Sequence, residues 1–189
     1  MTSLNPWYRL YSFAPPDFPF CGEIVNGFIS DPADTYSSLF YFAVALLLFI
    51  KSRSKQFSGQ SQFYAIPILI TIGSILFHMS FSFVFLMADF FGIFMLTFYC
   101  IAMNLIRLKI IGISYFYRRI FIAAALYTST MIIAYKFHFH SGVLMIPLLI
   151  VLAVLENKCF KTNKNIDYKS FIIGCSLAFI GYVFILLEG

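Results

Sequence analysis

Ser74, His78 and Asp89 are the residues of this chain whose types and spacing could do chemistry. All three sit in apolar surroundings, where an ionisable side chain costs several kcal/mol to insert into a bilayer and so calls for a partner or a task. Ser74 lies four residues before His78, on the same helical stripe, and Gly73 beside it lets another helix come close. His78 and Asp89 flank a tight connection at 80–82, so an imidazole and a carboxylate from adjoining helices are expected at similar depth, about 8–10 Å below the turn. An imidazole can ligate a metal or carry a proton. A carboxylate can take a proton from water, and a hydroxyl can donate to a developing oxyanion. Structural uses stay open as well. A Ser in an apolar helix also bonds the carbonyl four residues back, and a lone His also serves as a hydrogen-bond partner or sits at an interface.

Two further groups carry candidate chemistry. Asp17, Glu23, Asp31 and Asp34 cluster in the first forty residues, among Pro6, Pro15, Pro16, Pro19 and Pro32. That stretch, 1–35, reads as an ordered or semi-ordered acidic cap on one membrane face. His138 and His140 stand two apart, without the one-face geometry of an i, i+4 pair, and read as interfacial residues or as substitute ligands.

The elements that must position these residues follow from composition. Of 189 residues, 61% are hydrophobic and 11% charged, and mean hydropathy is +0.88. Soluble domains run at roughly half apolar and a quarter charged, so the apolar surplus is expected to face lipid. Disorder, a nucleic-acid reader and a disulfide-stapled secreted module are excluded on the same grounds. Cys21, Cys100, Cys159 and Cys175 lie far apart with no metal or disulfide spacing.

Six stretches approach the roughly 20 apolar residues of a membrane-spanning helix. They are 36–50, 63–80, 83–106, 120–137, 143–155 and 171–187, the first and fifth short unless flanking residues join them. The expected fold is therefore an all-α, polytopic bundle of six transmembrane helices over 36–189. Three loops hold 11 of the 13 basic residues, from Lys51 to Lys55, from Arg107 to Arg119 and from Lys158 to Lys169, and alternate segments put them on one side. Basic residues favour the cytoplasm, which leaves the N-terminus outside. The net charge of +5 then needs no nucleic acid to explain it.

The run Gly73-Ser74-Ile75-Leu76-Phe77-His78-Met79-Ser80, with Asp89 eleven residues after the His, resembles the alkaline ceramidase signature. More broadly it resembles the superfamily joining alkaline ceramidases, adiponectin-type receptors and related seven-helix membrane hydrolases. Cys21-Gly22-Glu23, then Asp31-Pro32-Ala33-Asp34-Thr35-Tyr36-Ser37-Ser38, is similar to the ceramidase opening, an acidic Cys-Glu segment before an Asn-Thr-x-Ser-Asn element. The likeness covers the cap and the first three helices; the rest match in length and polarity.

The resemblance implies one zinc ion held by His78 and by two His of an His-x-x-x-His motif on a seventh helix, accompanied by Ser74 and Asp89. It implies hydrolysis of the amide bond of a ceramide-like lipid, and calcium in the cap at Glu23, Asn26 and Asp31, with Asp17 near. His-x-x-x-His does not occur here, so two zinc ligands, on a separately encoded seventh helix, are expected to come from elsewhere or to be lost. The expectation is a multi-pass protein of a bacterial inner membrane or an endomembrane, acting in lipid metabolism. The alternatives are a catalytically inactive lipid- or partner-binding membrane protein and a small transporter relaying protons through His78 and Asp89.

Overall fold

A computed structural model of the chain describes residues 7, 28–52, 63–137 and 141–162. Its regular structure is α-helical: α1 Pro32–Ser37, α2 Leu39–Ser52, α3 Ala65–Ser80, α4 Phe83–Arg107, α5 Phe116–Lys136 and α6 Ser141–Thr162. Five of the six expected spans fall on these helices; the sixth, 171–187, lies outside the described residues. The first is broken in two, because a separate helix starts upstream. Asp31 is extended there, its side chain accepts from the Asp34 amide at 3.1 Å, and Pro32 occupies the first turn. An acid at the cap and a proline just inside it are a favourable helix start. α6 runs past its expected bounds at both ends, with Pro147 inside it.

α3 and α4 form the hairpin on which the rest is built. Phe81 takes the left-handed conformation at φ 48° and returns its amide to the Phe77 carbonyl at 2.6 Å. Glycine is the usual residue there; Phe81 is held in place by burial against Phe77. Ser82 follows as the cap of α4, accepting from the Phe85 amide. The two helices touch at glycines. A Cβ on Gly73 would stand 2.8 Å from the Asp89 Cα, and one on Gly92 would stand 3.1 Å from the Ile70 Cα. Both pairs are equidistant from Phe81, so the hairpin is antiparallel without a slip in register.

α4 is the central helix, packed against α3, α5 and α6, while α1 and α2 lie on α3. One buried cluster joins Phe94, Met87 and Ile101 of α4 to Ala124 and Met131 of α5 and Leu148 of α6. Another joins Ile66 and Ile70 of α3 to Tyr99, Phe116 and Ile120. α4, at 25 residues, is long and apolar enough to cross a membrane, and α3 is a shorter apolar helix. The outward faces are apolar too: Phe40 and Leu47 on α2, Leu126 and Ile133 on α5, and Ile150 and Phe160 on α6 are all exposed.

Candidate metal centre beside the α3–α4 hairpin

The last carbonyls of a helix have no partner within it. At the end of α3 the segment preceding α1 supplies two: the Ser30 amide donates to the Met79 carbonyl and the Asp31 amide to the His78 carbonyl, both at 3.0 Å. This backbone clasp sets the first turn of α1 over the imidazole. His78 Nδ1 then lies 3.8 Å from Asp31 Oδ2 and 3.7 Å from Asp34 Oδ2. Neither is a hydrogen bond, and the nitrogen is buried with no hydrogen-bond partner among the described residues. Asp31 divides its oxygens, Oδ1 capping α1 and Oδ2 facing the ring. Asp34 is more than half exposed, so the cluster opens to its surroundings on that side.

One ligand atom from each of Asp31, Asp34 and His78 lies within 4.8 Å of the others. Two ligands about 2.1 Å from a tetrahedral zinc stand roughly 3.4 Å apart, so the two separations from His78 Nδ1 need to close by only a few tenths of an ångström. One imidazole and two carboxylates with a position left for water fit a divalent cation of the zinc type; the two carboxylates alone also suit calcium.

Ser74 lies a turn below His78 on the same face. Thr71, Ser80, Thr97 and Thr128 each donate to the carbonyl four residues back. Ser74 does not; its hydroxyl meets that of Ser38 at 2.8 Å across the α1–α3 contact. Ser38 in turn donates to the Asp34 carbonyl at 2.8 Å. With the single Ser38 proton spent there, Ser74 is the donor of the pair. The polar line Asp34, Ser38, Ser74 is thus continuous.

Asp89 is set apart from this cluster. The expected equal depth of His78 and Asp89 does not hold, because the register of the hairpin pairs Asp89 with Gly73. His78 stands five residues nearer the turn, about 7.5 Å along the helix. Among the described residues Asp89 makes neither a hydrogen bond nor an ion pair, and none joins it to His78. It is half-buried.

Asp31, expected in a calcium group of its own, stands beside the candidate zinc ligand instead. The other calcium candidates, Glu23 and Asn26, lie outside the described residues, as do Asp17, His138 and His140. Sequence reasoning missed Asp34 and Ser38 as site members. Their signal was the spacing Asp31, Asp34, Ser38, which is one helical face. Reading it required knowing that α1 starts at Pro32 and packs on α3. Comparisons with family models, with curated proteins and with solved structures found no match to the chain.

Proposed function

We propose that the chain is a ceramidase-like integral membrane hydrolase that cleaves the amide bond of ceramide or a related lipid amide with a metal-activated water. One observation carries this reading: a histidine and two aspartates converge, with the imidazole nitrogen buried and unpaired, in a bundle whose outer faces are apolar. Bound there, zinc would lower the pKa of a water in its open position to about 7. Asp31, Asp34 and His78 are the holding residues. Asp34 is exposed, and water would enter on its side. Asp89, about 7.5 Å deeper than His78, would take the proton through an intervening water and pass it to the leaving amine nitrogen. Ser74 would donate to the carbonyl oxygen of the lipid amide once it exchanges its bond to Ser38. Both roles require the substrate to lie along the α3–α4 contact, below the cation and within the bilayer.

The bundle belongs in a membrane as a six-span protein with its N-terminus outside. The exposed apolar faces of α2, α5 and α6 support this, because soluble monomers rarely display so much contiguous apolar surface. So does the alternation of basic loops. The test is metal analysis of the purified full chain together with turnover of a fluorescent ceramide. Stoichiometric zinc, and cleavage lost in His78→Ala, are expected. Metal-free protein that stays inactive with added zinc removes the mechanism, and calcium in place of zinc makes the cluster structural.

A second reading has its own support. Ser74 has its proton committed to Ser38 and Asp89 stands a turn and a half from His78, which suits a catalytically silent lipid-binding protein. It predicts that His78→Ala lowers stability with no hydrolysis to lose.

A further inference from the structure

A cavity of about 510 Å³ opens at the opposite end of α4, between its last turns, the connection that follows and the first turn of α5. It lies about 30 Å along α4 from the metal centre. Its volume is in the range of small-molecule sites. Tyr99, Met103 and Ile106 line it from one face of α4, Ile113 from the connection, and Phe116 and Arg118 from α5. The wall is therefore apolar and aromatic with a guanidinium at the edge. Arg118 is exposed and has no hydrogen bond or ion pair among the described residues.

Basic residues dominate the chain around the mouth, although Glu156 of α6 is near enough to act on Cys100 beside Tyr99. Arg107, Lys109, Arg118 and Arg119 fall within thirteen positions, and the sequence has no Asp or Glu between Asp89 and Glu156. α5 begins without a side-chain cap and without an acid in its first turn. Arg118 and Arg119 thus stand at the positive end of their own helix dipole, which an anion would relieve. A free anion would leave the apolar wall wet, and a lipid without net charge would leave the cations unmatched. Only an anionic amphiphile answers both.

We propose that this cavity binds an anionic phospholipid, its phosphate against Arg118 and an acyl chain along Tyr99, Met103 and Ile106. The proposal rests on the membrane reading above, with this end at the cytoplasmic leaflet where anionic lipids gather. It is independent of the metal centre.

The full chain, released from vesicles holding equal phosphatidylglycerol and phosphatidylcholine, is examined by native mass spectrometry for retained lipid. Preferential retention of phosphatidylglycerol is expected, weakened about fivefold by Arg118→Gln, the loss of one surface cation, and restored by Arg118→Lys. Ile113→Trp, at an exposed position on the mouth, should lower retention of phosphatidylglycerol while leaving thermal unfolding unchanged. Equal retention of the two lipids, or wild-type retention in Arg118→Gln, overturns the proposal. Displacement of the lipid by millimolar inorganic phosphate also overturns it, since that marks a bare anion site. Alkaline carbonate extraction separates the two failures: a chain that leaves the vesicles overturns the membrane reading with this one. A chain that stays embedded but shows no headgroup preference overturns this one alone.

Discussion

Asp31 turns one oxygen to the cap of α1 and the other toward His78, and the two can be tested separately. Asparagine caps a helix about as well as aspartate, whereas alanine does not. Asp31→Asn should therefore leave the unfolding temperature near wild type and still lose bound metal, because it removes a charged ligand. Asp31→Ala should lose metal and also about 1 kcal/mol of stability. Equal metal content in wild type and Asp31→Asn would take Asp31 out of the site. The hydroxyl pair offers a second check. Ser74→Ala is expected to cost about 1 kcal/mol and Ser38→Ala up to about 2 kcal/mol, because Ser38 also bonds the Asp34 carbonyl. The double variant should cost little more than Ser38→Ala alone, since the shared hydrogen bond is already lost there. Additive losses would show that the two hydroxyls do not depend on each other. At this scale the sequence singled out Ser74 but not its partner. Ser38 is 36 residues away, and only the packing of α1 on α3 brings the two together.

The α3–α4 hairpin depends on close backbone approach at two glycines. A methyl group on Gly73 would meet the Asp89 backbone at 2.8 Å, and backbone cannot swing aside as a flexible side chain can. Gly73→Ala should force the helices apart and cost about 1–3 kcal/mol, read as a lowered unfolding temperature in detergent. Gly112 is the matched control, with no atom within 4 Å of an added Cβ. Gly112→Ala should fall within about 0.5 kcal/mol of wild type. Equal effects at the two glycines would mean that the helix contact is not where Gly73 and Asp89 mark it. Gly73 was legible as a close-approach position from its place beside Ser74. The level of Asp89 was not, because the turn is centred on Phe81 and lies three residues from His78 but eight from Asp89.

Across the whole molecule, the Asp31–Asp34–His78 cluster and the cavity by Arg118 occupy opposite ends of α4. At 25 residues this helix extends for about 37 Å, more than the roughly 30 Å of hydrocarbon. Phe28, by the α3–α4 turn, and Ile113, beyond the far end of α4, are both well exposed. In vesicles of known orientation, with the native cysteines replaced, Phe28→Cys should react with an impermeant thiol reagent from outside and Ile113→Cys only from the cytoplasmic side. Reaction of both from one side would mean that α4 does not cross.

Helical class and the hairpin at 80–82 were settled by the amino-acid order itself. Apolar periodicity, turn chemistry and charge act over a few residues and can be read locally. What only the tertiary structure decided is which groups meet. His78 faces Asp31 and Asp34 rather than Asp89, because two backbone hydrogen bonds from residues 30 and 31 close the end of α3. Such a contact bridges some 48 positions along the chain and leaves no local signal. An N–H seeking an open carbonyl is available at every residue, and folding alone selects the one that is used.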